Sequence, residues 1–116
     1  MSIRLPSHIS IKENSKLARL AAKKMRSNGA ALVLGRTIHL FNISEKEFLS
    51  STRLVRHEYK HLEQYQRLGT FRFLGLYLWY SLRYGYYQNP LEKEARAAED
   101  VALEFENPET EDLALH

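Results

Sequence analysis

The feature that most restricts this chain is the stretch from Ser44 to Arg67, which contains neither proline nor glycine. Phe48, Thr52, Val55, Tyr59 and Leu62 recur there at 4-3-4-3 spacing, the apolar stripe of a helix resting on a core. Ser44 followed three residues later by Glu47 is a capping box and marks the start, and Gly69 marks the stop. Inside this helix the chain reads His57-Glu58-Tyr59-Lys60-His61. Two histidines four apart lie on one helix face, so both imidazoles can reach a single metal ion. The glutamate after the first histidine projects beside that ion, where it can take a proton from a water the metal activates. His57, His61 and Tyr65 form a stripe with Leu54 that borders the packed face, where an ion is partly shielded from water. The plainer alternative is an exposed helix with two scattered histidines, and a third ligand is what separates the two.

A chain of 116 residues is one domain, long enough to bury a core. It has no cysteine, so any metal must be held by histidine, carboxylate and water. Arg4, Pro6, His8 and Lys12 interrupt the N-terminal region, which has no apolar signal core, and a cytoplasmic location is the expectation. The most apolar stretch, Phe73 to Leu82, is bounded by Arg72 and Arg83 and is too short to span a bilayer. It is read as part of a buried helix over 71–84. The alternative is an apolar surface for a partner, a second copy of the chain or a membrane interface.

Charge is divided along the chain. Residues 1–91 hold fifteen Lys or Arg against five Asp or Glu, whereas residues 92–116 hold two against nine. The basic residues are scattered over several elements without a recognisable nucleic-acid module, so no nucleic-acid partner is expected. The acidic C-terminal part is expected to fold against the basic part. Residues 108–116 read as a loose acidic tail on a single domain spanning 1–107, and Glu109 to Asp112 could reach an electropositive site.

The remaining elements follow from periodicity and breakers. Ser15 to Ser27 predicts an amphipathic helix with Leu17, Leu20, Ala21 and Met25 on its apolar side, ended by Asn28-Gly29. Ala30 to Leu34, the Gly35-Arg36 turn and Thr37 to Phe41 predict a hairpin or two short strands. Gly85 to Gln88 is a tyrosine-rich loop, and Asn89-Pro90 starts a last helix expected to run to about Phe105. The fold class expected is α+β and mostly helical.

A catalytic zinc site commonly takes three protein ligands and leaves the fourth place to water. The last helix offers Glu92, Glu94 and Glu99 beside a core stripe of Leu91, Ala95, Ala98, Ala102 and Phe105. Glu92 has an ordinary explanation, since Asn89 suits the N-cap and Pro90 the first helical position, which puts Glu92 at N3 of a capping arrangement. At about 100° per residue Glu94 lies about 60° from the stripe centre, and Glu92 and Glu99 about 80–100°. Spacing alone leaves Glu92 and Glu94 open.

His57-Glu58-x-x-His61 followed by Asn89-Pro90-Leu91-Glu92-Lys93-Glu94-Ala95 resembles the gluzincin class of HExxH zinc metallopeptidases. In that class the third ligand is a glutamate on a later helix, often with alanine three residues on. Glu92 and Ala95 match this register, so the resemblance implies His57, His61 and Glu92 as ligands. Arg96 stands where members of the class often carry an aspartate that supports a histidine ligand, so another acceptor must do that work or the site is weaker. Roughly Ser15 to Ala98 is also similar to a minimal bacterial metallopeptidase-like domain of unknown function. That similarity implies a zincin-like core, with a small sheet beside the motif helix and a ligand-bearing helix after it.

The function implied is hydrolysis of peptide bonds in a peptide or protein substrate, with Zn2+ or another divalent ion and with Glu58 as general base. Tyr84, Tyr86 and Tyr87, just before the ligand helix, are candidates to stabilise an oxyanion. Ile38 and His39, on the strand Thr37 to Leu40, are candidates to meet an extended substrate added as a strand. The alternative is a non-catalytic metal-bound module that serves as a scaffold or binds a partner.

Overall fold

The computed structural model describes residues 3–106. The acidic tail expected at 108–116 and its segment Glu109 to Asp112 lie outside them. The capping box at Ser44 forms as its residues require: Glu47 N–H donates to Ser44 Oγ and Ser44 N–H donates to Glu47 Oε1, both at 3.0 Å. The helix it starts, α2 (Glu45–Ser50), is short, and a second helix, α3 (Thr52–Leu68), follows after a break at Ser51 (φ −99°, ψ 95°). The single helix expected from Ser44 onward is therefore two. The break falls in Ser50-Ser51-Thr52, where hydroxyl side chains compete for backbone partners, and Ser50 Oγ donates to the Lys46 carbonyl at 2.8 Å. Phe48 on α2 and Val55 on α3 are nonetheless both fully buried, so the bend keeps one apolar stripe on the core.

Three strands form one sheet in the order β1-β3-β2, with β1 at Ser10–Lys12, β2 at Ala30–Leu34 and β3 at Thr37–Phe41. The hairpin β2–β3 is antiparallel and pairs Leu34 with Thr37 across Gly35, whose φ of 65° suits a residue without Cβ. The short β1, absent from the sequence reading, pairs parallel with β3. Its arrival makes β3 the central strand. The expectation that Thr37 to Leu40 pairs with a substrate strand is thereby overturned, because both of its edges are occupied. Ile38 is fully buried, and His39 Nδ1 shares a hydrogen bond with Ser15 Oγ at 2.8 Å.

Helix α1 (Lys16–Lys24), capped by Ser15 Oγ, packs on β2 and β3. It does so through Ala18 and Ala22, whose small side chains let the helix axis come close to the sheet, and not through the face expected from its larger residues. Leu17, Leu20 and Met25 are instead 40%, 64% and 56% exposed.

Helix α4 (Thr70–Tyr84) is separated from α3 by Gly69 alone, at φ 85° and ψ 154°, a conformation a Cβ would strain. The buried helix expected over 71–84 is corrected here: only Phe73 is buried, because α4 rests on α3 along one side and no other described element covers its outer side.

Helix α5 (Pro90–Ala98) packs along α3. It stops well before Phe105, since the Arg56 guanidinium on α3 takes the Glu99 carbonyl at 2.9 Å and ion-pairs with Glu106 at 3.0 Å. Those contacts fold residues 99–106 back as a turn and a short 3-10 segment (Glu104–Glu106), and Phe105 meets Tyr59 edge to face at 5.0 Å. The core joins Val33, Ile38, Leu40, Phe48, Val55, Leu62, Tyr65, Phe73 and Leu91 from sheet and helices. Each such side chain contributes about 1.5–3 kcal/mol by leaving water. The architecture is α+β and mostly helical, as expected.

Candidate metal centre

One turn of α3 separates His57 from His61, and their rings sit edge to face at 5.1 Å. The first turn of α5 brings the Glu92 carboxylate between them. Glu92 Oε1 is 3.1 Å from His57 Nε2 and 3.3 Å from His61 Nε2. Ligand atoms of the three residues all lie within 4.8 Å of one another. Bonds of 2.0–2.1 Å in a tetrahedral zinc site would separate ligand atoms by about 3.3 Å. The donor set of two imidazoles and one carboxylate fits a divalent metal ion, and no ligand atom would have to travel far to close on one.

What aims the imidazoles is the set of groups behind them. Gln64, fully buried one turn after His61, donates its amide N–H groups to the Leu91 carbonyl and to Glu94 Oε1, both at 3.0 Å. Its Oε1 is left as an acceptor, and His61 Nδ1–H donates to it at 2.9 Å. That bond holds the proton on Nδ1, so it is Nε2, facing Glu92, that gives up its proton and offers a lone pair when a metal binds. His57 Nδ1–H donates to Glu99 Oε2 at 2.8 Å, which does the same for the other ring. Glu99 thus supplies the acceptor that Arg96 does not. Arg96 lies over the Tyr87 ring at 4.1 Å and donates to the Tyr87 carbonyl.

Glu92 is fixed from its far side as well. Tyr77 on α4 donates its hydroxyl to Glu92 Oε2 at 2.5 Å. Asn89 holds the start of α5 against α4, accepting from Leu91 N–H at 2.9 Å and donating to the Tyr77 carbonyl at 3.1 Å and to Ser81 Oγ at 3.0 Å. Asn89 therefore caps the helix without help from Glu92, whose carboxylate turns inward instead of back to the N-cap. Glu94 is exposed, bonded to Gln64 and 3.5 Å from Arg67, away from the histidine pair. Phe73 and Tyr77 present ring faces and edges to His61 at 6.1 and 6.4 Å and close the α4 side of the site.

Charge within this cluster is strongly coupled. Burial alone would lower the pKa of His57, but bonds to Glu92 and Glu99 and the nearby Glu58 charge outweigh it and raise it to about 9. His61 moves in the same direction, with burial again outweighed, by Glu92 and Glu58. Glu92, although desolvated, is held far below the usual carboxylate range by the two histidines and Tyr77. Glu58 is 4% exposed, and its burial pushes it up to about 7 against the pull of His61 and His57. Both imidazoles are drawn towards their protonated forms by the carboxylates where the ligand atoms converge.

The three tyrosines ahead of α5 are placed differently from one another. Tyr86 is half-exposed, and partial burial of its hydroxyl together with the nearby Glu92 charge pushes its pKa up to about 12. Tyr84 packs against Trp79 and Tyr80 at the end of α4, and Tyr87 is occupied by Arg96. Sequence reasoning missed Tyr77 and Gln64 and weighed Glu99 only as a ligand. Gln64 carried a signal, three residues beyond His61 on the same face, whereas Tyr77 could be placed only by the crossing of α4 over α3. No family model, curated protein or solved structure matches the chain.

Proposed function

We propose that the protein is a zinc-dependent metallopeptidase in which His57, His61 and Glu92 hold the metal and Glu58 is the general base. The observation that carries this reading is the convergence of two Nε2 atoms on one carboxylate, each ring anchored through its other nitrogen, beside a buried glutamate. Zinc, when bound, would act as a Lewis acid that polarises the substrate carbonyl and lowers the pKa of water from about 15.7 towards 7. Glu58, poised near neutrality, takes the proton from the attacking water and delivers it to the departing amine. Tyr77 keeps the second oxygen of Glu92 engaged and so orients the first towards the histidines. Tyr86, in the loop just ahead of α5, would donate a hydrogen bond to the substrate oxyanion.

Glu58→Gln is expected to retain zinc at wild-type stoichiometry while losing about 10²–10⁴ in turnover of an unstructured protein substrate. Retained turnover in that variant would exclude this mechanism. A second reading, a metal-stabilised module without catalysis, draws on where the surface clefts lie. Among the described residues one cleft is lined by Arg56, Tyr59, Lys60 and Glu63 and another by His8, Ile9, Gly35 and Arg36, and neither of these two includes the histidine pair. On that reading chelation unfolds the chain, and Glu58→Gln changes no measurable property.

A further inference from the structure

Helix α4 turns its two sides to different surroundings. Phe73 and Tyr77 face α3 and the histidines, while Phe71, Leu74, Leu78, Trp79 and Leu82 are 90%, 41%, 61%, 54% and 79% exposed. At about 100° per residue these five, with Gly75, make one continuous outward stripe. Apolar side chains left in water in such a row mark a surface that something covers.

The charges around the stripe indicate what covers it. Residues 64–91 contain no Asp or Glu, and their charged side chains are Arg67, Arg72 and Arg83. Arg72 and Arg83 lie on one shoulder of the stripe, roughly 100° from its centre, next to Trp79. The single Trp of the chain, Trp79, lies half-exposed on that shoulder. Leucine and phenylalanine on one face, arginines able to reach outward along its edge, and a tryptophan at the boundary between them are the composition of a helix lying in a bilayer interface. A second copy fits less well. Two α4 faces paired antiparallel would set Arg72 near Arg83, and paired parallel would set each arginine near its equivalent, with no acidic side chain of the segment to offset either. At 15 residues α4 is about 22 Å long, and no described helix is long and apolar enough to cross a membrane, so the helix would lie flat.

We propose that the outward face of α4 docks this protein onto an anionic membrane surface. Phe71, Leu74, Leu78 and Leu82 enter the acyl boundary, and Arg72 and Arg83 meet lipid phosphates. The candidate metal centre then lies one helix thickness from the bilayer, because Tyr77 on the inner side of the same helix contacts Glu92. The docking surface stands independently of whether the site is catalytic.

Trp79 reports the event without a label. The full chain would be mixed with phosphatidylcholine vesicles, with or without phosphatidylglycerol, and followed by cosedimentation and Trp79 emission. The expected result is pelleting and a blue-shifted emission with the anionic vesicles, and markedly weaker binding to phosphatidylcholine alone. Leu78→Asp should weaken partitioning more than tenfold while leaving zinc binding and the circular dichroism spectrum unchanged. Replacing Arg72 and Arg83 together by Gln should weaken it about thirtyfold, at about 1 kcal/mol per basic residue. This double change is confined to exposed positions and serves if Leu78→Asp misfolds. Absence of binding to anionic vesicles, or binding unaffected by either change, would overturn the proposal. So would a stable dimer in solution that Leu78→Asp dissociates, since the occupant would then be a second copy.

Discussion

Gln64 and Glu99 decide how well two imidazoles can share an ion. Each accepts the Nδ1–H of one histidine and leaves Nε2 facing Glu92. Removing such a partner typically weakens metal binding 10–100-fold. Glu99→Ala is therefore expected to lower zinc affinity by about that factor, and Glu94→Ala by much less, because Glu94 reaches the site only through Gln64. Titration against a competing chelator measures both, and the reverse order would assign the support role wrongly. The pH dependence follows from His57. In the folded, metal-free protein the carboxylates around it hold its pKa at about 9, above the ordinary imidazole value of 6.5. Its contribution to stability is therefore fully present below about pH 6.5 and is lost as pH rises through 9. Zinc needs the neutral ring, so the dependence of its affinity has the opposite sign and rises about tenfold per pH unit for each proton displaced. Thermal unfolding with zinc and with chelator at pH 6, 7.5 and 9 should show the gap between the two curves widening with pH.

At the scale of elements, the positions of α3, α4 and α5 depend on two short connections. Gly69 carries φ 85° and ψ 154°, and a Cβ there meets no atom within 4 Å, so substitution is opposed by backbone strain and not by crowding. Gly69→Ala should cost about 1–3 kcal/mol. Gly75, inside α4 with no positive φ and equally open space, is the converse case. Gly75→Ala should stabilise by about 0.5–1 kcal/mol through helix propensity. Denaturant unfolding of the two variants should shift the midpoint in opposite directions. Helix α5 starts where it does because Asn89 is bound on three sides, which places Glu92 in the first turn, where the helix dipole favours its charge.

For the molecule as a whole, the candidate site joins three helices whose association also buries the core. An ion there would tie α3 to α5, and α4 would follow through Tyr77 and Phe73. Zinc at a hundredfold excess over its dissociation constant should stabilise the fold by about 2.7 kcal/mol. For a chain this size that is on the order of 10 °C in Tm. His57→Ala should abolish the shift. A zinc-induced shift of equal size in His57→Ala would place the binding site elsewhere.

The sequence by itself determined what the regular geometry of a helix can determine. Histidines at 57 and 61 must share a face of any helix that contains them, and Phe48, Val55 and Leu62 must share another, because rise and twist per residue are local properties. The capping box at Ser44, the Gly35 turn and the α+β, mostly helical character were legible for the same reason. Only tertiary structure decided the rest. Spacing left the choice between Glu92 and Glu94 open, and the crossing of α5 over α3 put one carboxylate at the histidines and the other at Gln64. Pairing with β1 removed the free edge of β3, and Ala18 and Ala22 outcompeted larger residues for the sheet because close approach favoured small side chains. Helix α4 is apolar enough to be buried, yet burial requires a covering element, and the described chain provides one on a single side.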